Sequence, residues 1–214
     1  MPTGRTDWWP YGGLTRDVML VATPEQYIVN ARVVLHSDRS AITAEVATQG
    51  FVSGDKVAVV IPELDINQTA RINDRGDARL RIPAQPQLWQ PGAPKLYRVE
   101  LTAGDDQISD DIGFRTIETS GTTIMLNGEP IKFKGISTHE EPIGRDGVAY
   151  SEADMRVLFN EAKELGVNFV RAAHYPYSRH AARVADELGI LLWEEVPIYW
   201  NIAWDNAETL AIAR

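Results

Sequence analysis

The residues Asn168-Phe169-Val170-Arg171-Ala172-Ala173-His174-Tyr175-Pro176 stand out in this sequence, because a short apolar strand runs directly into an arginine, a histidine and a rigid turn. In parallel α/β sheets, ligands bind at the carboxyl ends of the strands. Polar residues at the carboxyl end of a strand therefore indicate ligand binding or catalysis rather than a role in stabilising the fold. The stretch therefore predicts a strand over 167–172 whose exit presents Arg171 and His174 to a ligand.

Strands and helices alternate on both sides of this stretch. Ser151 and Asp154 resemble a capping box, and apolar residues then recur at helical spacing until Gly166. Strands are predicted at 131–136, 167–172 and 190–193, and helices between Ser151 and Gly166, over 178–188 and from 205 onward. A closed eight-stranded barrel needs about 250 residues, so the sequence predicts the first βα units of an incomplete (β/α)8 TIM barrel.

In the preceding part of the chain, apolar residues recur at a different spacing. Short runs of period-two character, separated by Gly, Pro, Asn and Asp, predict six strands: 28–35, 41–47, 56–61, 78–82, 97–102 and 112–117. Six or seven short strands over roughly 90 residues are typical of an immunoglobulin-like fold. The fold class predicted for the whole chain is an immunoglobulin-like β-sandwich followed by the start of a TIM barrel.

Composition narrows the possible partners. The 214 residues carry a net charge of -9 and no cysteine, which argues against nucleic acid and anionic membrane surfaces and removes thiolate chemistry. No segment has the apolar length of a signal peptide or of a membrane span. We expect a soluble protein with neither nucleic acid nor membrane as partner, and the compartment, cytoplasmic or periplasmic, stays open.

Polar residues follow each of the three predicted parallel strands, at His139 and Glu140, at Arg171 and His174, and at Glu194 and Glu195. We expect them to converge on one mouth. A metal held by His139, His174 and Glu195 is one interpretation, but Arg171 would repel a cation. A hydroxyl-rich ligand fits better, since these groups form charge-assisted hydrogen bonds. Nearby aromatic residues could stack on a sugar or simply pack: Tyr175, Tyr177, Trp193, Tyr199, Trp200 and Trp204.

Several motifs, in this order, resemble glycoside hydrolase family 2, the group of β-galactosidases, β-glucuronidases and β-mannosidases. They are Asp7-Trp8-Trp9-Pro10-Tyr11-Gly12-Gly13-Leu14-Thr15-Arg16, Leu88-Trp89-Gln90-Pro91, Asn127-Gly128-Glu129-Pro130, His139-Glu140, Val170-Arg171-Ala172-Ala173-His174-Tyr175-Pro176 and Leu192-Trp193-Glu194-Glu195. The resemblance covers essentially the whole chain. It implies the tail of a jelly-roll sugar-binding domain at 1–24, the immunoglobulin-like sandwich at 25–118 and the truncated amino-terminal part of the catalytic barrel at 119–214.

The resemblance also implies roles for single residues. Asp7 would contact substrate, His139 and His174 would flank the reacting sugar, and Arg171 would keep the nucleophile ionised, while Glu140 and Glu195 would bind substrate or orient the site. The retaining mechanism uses two glutamates roughly 5 to 5.5 Å apart. In the family these lie on barrel strands four and seven, so both are expected beyond Arg214.

The function implied is that of part of a retaining β-glycosidase, of the β-galactosidase or β-glucuronidase type, that is inactive as this segment alone. Its partners would be a β-linked glycoside or oligosaccharide and, at full length, further copies of itself, and no cofactor or metal is expected. Two alternatives stay open, a non-catalytic carbohydrate-binding or scaffolding module and a metal-dependent hydrolase.

Overall fold

A computed structural model describes residues 11–144, 147–197 and 203–213 of the chain. It divides into two units, one formed by Leu20–Lys132 and the other by Phe133–Arg214 together with the segment that ends at Met19. Within the described ranges, no helix is both long enough and apolar enough to span a membrane.

The Leu20–Lys132 unit contains three antiparallel sheets, of which the two larger ones share one core. Its first seven strands are β1 (Tyr27–Leu35), β2 (Ala41–Gln49), β3 (Lys56–Ile61), β4 (Ile66–Arg71), β5 (Asp77–Pro83), β6 (Tyr97–Ala103) and β7 (Asp106–Ile112). One sheet has the order β1-β2-β5 and the other β4-β3-β6-β7. Alternate residues of both sheets enter one apolar core, as the period-two pattern predicts. The predicted β-sandwich is therefore present.

Two of these strands were not predicted, and one predicted strand is wrong. Both β4 and β7 lie at the edges of their sheet and are rich in polar residues, so they lack the apolar alternation of a half-buried strand. The strand predicted at 112–117 is replaced by irregular chain at 113–116. There, Gly113 lies against Trp89, where a Cβ atom would come within 2.5 Å of the indole.

A small three-stranded antiparallel sheet closes this unit. Its strands are β8 (Ile117–Ser120), β9 (Thr123–Leu126) and β10 (Glu129–Pro130). Asn127 and Gly128 form the turn between β9 and β10, and both have positive φ angles, of 56° and 83°, which the Asn-Gly pair adopts at little cost. The Asn127 side chain accepts a hydrogen bond from the Thr116 amide and donates one to the Trp89 carbonyl, at 3.0 and 2.9 Å.

In its described residues, the second unit contains a parallel sheet and three helices. The strands are β11 (Gly135–Thr138), β12 (Phe169–Ala172) and β13 (Leu191–Glu194), and the helices are α1 (Glu152–Glu164), α2 (Arg179–Leu188) and α3 (Ala207–Ala213). The strands pair in the order β11-β12-β13, all parallel. The strand predicted at 131–136 begins only at Gly135. The described residues form an open sheet and no closed barrel.

Helix α1 begins and ends as the sequence predicts. The Ser151 hydroxyl accepts a hydrogen bond from the Asp154 amide, and the Asp154 carboxylate accepts one from the Ser151 amide, which completes the capping box. Met155, Phe159 and other apolar residues of α1 pack with those of α2 on one face of the sheet. The helices cover only this face of the sheet. Side chains on the opposite face do not contact the helices and are available to form a site.

Gly135 is required where β11 passes β12. A Cβ atom at this position would lie 2.8 Å from the Phe169 carbonyl oxygen and 2.5 Å from its ring. We expect Gly135→Ala to lower the free energy of unfolding of this unit by about 1–3 kcal/mol, as overpacking does. Urea unfolding followed by the helical circular dichroism signal measures this loss. Gly12→Ala, with no atom within 4 Å of the added methyl, is the matched control, and equal stability of both variants would contradict the prediction.

Candidate active site

The carboxyl ends of the three parallel strands bring polar side chains to one edge of the sheet. Ser137, Arg171 and Trp193 are paired in register across β11, β12 and β13. Their neighbours in sequence, such as Val170 and Ala172, pack against the helices. Since successive residues of a strand point to opposite faces, Arg171 projects from the face that the helices do not cover.

Arg171 and Glu195 form a bidentate ion pair at this edge. Arg171 donates from Nε to Glu195 Oε1 at 2.7 Å and from Nη2 to Oε2 at 2.9 Å. Its Nη1 donates to the Ser137 hydroxyl at 3.3 Å. These hydrogen bonds from Arg171, supported by His174, hold the pKa of the Glu195 carboxyl below its usual range. Glu195 is therefore a fixed negative charge whose main partner is Arg171.

Two histidines complete the cluster. Nδ1 of His174 lies 3.1 Å from Arg171 Nη2 and 3.2 Å from Glu195 Oε2. The His139 ring meets the His174 ring edge-on, with 5.6 Å between centroids. Nδ1 of His139 lies 3.0 Å from the Ala173 carbonyl oxygen, and because a carbonyl only accepts, this nitrogen carries the hydrogen and Nε2 of the neutral ring is an acceptor. The predicted convergence of His139, Arg171 and His174 is present in the structure.

Glu140 follows His139 but has a different environment. Its side chain is only 1% exposed. Oε1 accepts a hydrogen bond from the Ser178 amide at 2.6 Å, and Oε2 accepts one from Arg16 Nη2 at 3.3 Å. Burial raises the pKa of the Glu140 carboxyl above its usual range, although the Ser178 amide and the Arg16 charge oppose that shift. Glu140 thus lies inside the protein and holds chain segments together.

The aromatic residues near the strand ends divide into two groups. Tyr177 is buried, and its hydroxyl donates to the Thr138 carbonyl, so this ring packs and does not offer a stacking face. Trp193 is 53% exposed, and its ring meets Phe169 edge-on at 6.4 Å on the uncovered face of the sheet. Trp193 therefore offers a stacking surface beside the cluster. Three residues of interest, Asp7, Tyr199 and Trp200, lie outside the described residues.

Metal binding has little support in this arrangement. His174 and Glu195 are adjacent, as a metal site would need, but the Arg171 guanidinium contacts both. A full positive charge at that distance opposes a cation. In the part of the chain that the structure describes, no group of three His, Asp or Glu side chains has the geometry of a metal site.

Sequence reasoning missed Arg16 and Ser178, which contact the predicted site residue Glu140. Arg16 lies 124 positions before Glu140, and spacing alone gives no signal for such a pair. Ser137 is among the polar residues that follow the first predicted strand, and it is paired with Arg171 in the parallel register. Ser178 acts through its backbone amide, which carries no signal of residue type.

The raised pKa of Glu140 predicts a pH effect on stability. A carboxyl with a higher pKa in the folded chain than its ordinary value of 4.5 favours folding below that pH, and loses this contribution as the pH rises through its folded pKa. Glu140→Gln keeps an acceptor for Ser178 but cannot ionise. We expect its stability relative to the unmodified chain to increase from pH 4 to pH 7, as measured by urea unfolding. A relative stability that falls over this range would contradict the assignment.

The fold and the cluster together define a class of protein. Its members have a β-sandwich followed by parallel βα units, and basic and acidic side chains at the ends of the parallel strands bind a polar ligand. Comparison with known proteins is consistent with this class. The family model described as "Glycosyl hydrolases family 2" matches residues 18–115, and the model described as "Glycosyl hydrolases family 2, TIM barrel domain" matches residues 117–210. The chain belongs to glycoside hydrolase family 2.

Similar proteins include enzymes of two specificities. A β-glucuronidase of Streptococcus agalactiae is 30% identical over 89% of this chain and 32% of its own length. A β-galactosidase of Halalkalibacterium halodurans is 28% identical over 94% of this chain and 21% of its own length. The solved apo structure of Bacteroides uniformis β-glucuronidase 3 matches with a TM-score of 0.74 and 30% identity, over 90% of this chain and 26% of that one. The chain thus spans between about a fifth and a third of these relatives.

Proposed function

We propose that the chain is part of a retaining β-glycosidase that hydrolyses O-glycosidic bonds, of the β-galactosidase or β-glucuronidase type. The observation that carries the proposal is the cluster of His139, Arg171, His174 and Glu195 at the carboxyl edge of a parallel sheet. Family membership supports the reaction class. The relatives of both specificities support the β-galactosidase or β-glucuronidase type, which is part of the proposal.

The geometry supports a division of roles within the cluster. His139 and His174 would flank the reacting sugar and hydrogen-bond its hydroxyls, because imidazole nitrogens can donate and accept. Trp193, exposed on the same face of the sheet, would offer an apolar surface to the ring. Asp7 would add a substrate contact, as the family resemblance implies.

Arg171 would act through its charge and its remaining donors. A guanidinium has five N–H groups, and Glu195 accepts two of them. Nη1, which reaches Ser137 only at 3.3 Å, could therefore also donate to a second carboxylate, the nucleophile. Glu195 would fix the guanidinium in place, and is proposed here as an orienting residue rather than as a substrate contact.

The acid/base and the nucleophile are proposed to come from barrel strands beyond this chain. Neither buried Glu140 nor Arg171-bound Glu195 is presented as a proton donor to a ligand. A retaining mechanism needs two carboxyl groups roughly 5 to 5.5 Å apart, one of them protonated. A longer protein with a complete barrel would supply both.

The test uses the longest open reading frame that contains this chain. The purified product is assayed with aryl β-glucuronide and aryl β-galactoside, and the first-formed sugar anomer is read by NMR. We expect turnover of one of these substrates with retention of the β configuration. Absence of turnover of both, or product of inverted configuration, would overturn the proposed function. Sugar binding without turnover would favour the carbohydrate-binding alternative.

A further inference from the structure

The loop that carries His174 is tied at both ends to the segment that carries His139. Residues 173–178 connect β12 to α2, and this loop carries His174. Its first residue, Ala173, donates from its amide to the Thr138 carbonyl at 3.0 Å and accepts from His139. The last residue, Ser178, donates from its amide to Glu140. Both ends of the loop are thus tied to the segment that follows β11.

Arg16 connects these two segments from a third part of the chain. Its Nη2 donates to Glu140 Oε2 at 3.3 Å and to the Pro176 carbonyl oxygen at 2.5 Å. Pro176 lies two residues after His174, and Glu140 follows His139. One guanidinium therefore bridges the segments that carry the two histidines.

Loss of the hydrogen bond between Arg16 and Glu140 costs more stability than loss of a contact between two exposed side chains, because the Glu140 carboxylate is buried. Glu140 is 1% exposed, while the Arg16 side chain is 46% exposed. A buried carboxylate is costly without a cation, and removing the partner leaves it uncompensated. The other charged group that acts on Glu140 does not help, since Glu194 is also negative. Tyr175 carries no charge that could compensate, because burial raises the pKa of its phenol and keeps it protonated. Without Arg16, Glu140 would take up a proton or move toward water, and the Ser178 end of the loop would move with it.

We propose that Arg16 is a positioning residue of the candidate active site, which fixes His174 and His139 through Glu140 and the Pro176 carbonyl. The role of these histidines in sugar binding rests on the proposed function. The positioning itself does not, because it concerns the free protein.

The test is NMR of the full 214-residue chain with labelled histidine rings and labelled glutamate carboxyl groups. In Arg16→Met we expect the pKa of Glu140 to rise further and the ring signals of His139 and His174 to shift. Arg16→Lys, which keeps the charge and a donor, should restore both signals in large part. His36 lies in the Leu20–Lys132 unit and serves as an internal control with unchanged signals.

Arg179→Met is the matched control variant. Arg179 begins α2 next to Ser178, and its Nη2 reaches Met19 Sδ at 3.6 Å, so the same charge is lost beside the same loop. Signals of His139 and His174 that stay in place in Arg16→Met, or that move equally in Arg179→Met, would overturn the proposal. If Arg16→Met does not fold, Arg16→Gln is read by the same criteria. Since no hydrolysis is measured, failure of the proposed function leaves this result intact.

Discussion

The purified 214-residue chain is expected to release no measurable product from aryl β-galactosides or β-glucuronides, while the longer protein that contains it turns over one of them. The physical reason is the proposed origin of the two catalytic carboxyl groups outside the chain. Proton transfer by a positioned acid contributes typically about 10² to 10⁴ in rate, and the covalent step needs a nucleophile as well. Orienting groups such as Arg171 and His174 cannot replace either.

The assay compares the chain, the longer protein and a mock purification at equal concentrations. Activity in the chain that exceeds the mock preparation and elutes with the protein would contradict the prediction. It would place an acid and a nucleophile among the residues of this chain. Because the sheet of the described residues is open, binding of a sugar by the chain alone is expected to be weak as well.

The second large effect is expected for Arg171→Met in the longer protein, where kcat/KM should fall by about 10²-fold or more. The substitution removes both hydrogen bonds to Glu195 and the contact with His174. A carboxylate without its partner repositions, and displacement of reacting groups by about 1 Å can cost about 10²-fold in rate. Arg171→Lys should recover little, because an ammonium cannot make the bidentate pair.

Arg156→Met is the control for this prediction. Arg156 also binds two carboxylates, Glu152 at 2.9 Å and Glu187 at 2.5 Å, but on the outer surface of the helices. Such solvent-exposed pairs contribute little to stability, so the kcat/KM of Arg156→Met should stay within about twofold of the unmodified protein's. Comparable losses in both variants would show that the effect of Arg171 is general destabilisation and not organisation of the site.

The sequence predicted those parts of the fold in which local pattern and burial agree. The α1 capping box, the Gly189 end of α2 and the alternating core strands such as β6 are of this kind. Edge strands β4 and β7 were missed because solvent accepts polar residues on their exposed positions, which removes the periodic signal. The predicted strand at 112–117 fails at residues 113–116, where Gly113 lies against Trp89, a tertiary contact that no local pattern encodes.

For the site, the sequence predicted the meeting of His139, Arg171 and His174, because parallel strands align their carboxyl ends. It did not predict which of the site residues form hydrogen bonds or ion pairs with each other. No sequence pattern indicated that Glu195 is the bidentate partner of Arg171, and the contact of Arg171 with a nucleophile stays a prediction. The buried position of Glu140 and its bond to Arg16 depend on a contact across 124 positions of sequence. Such pairings are set by packing, and residue type alone cannot select them.

A crystal structure of the longer protein with its product sugar bound would show whether the histidine–arginine cluster is the sugar site. We expect the sugar ring at the carboxyl edge of β11–β13, with its hydroxyls in hydrogen-bonding distance of His139 and His174 and with the Arg171–Glu195 pair intact beside it. A sugar bound on another surface, with both histidines turned away from it, would show that the cluster has a different role.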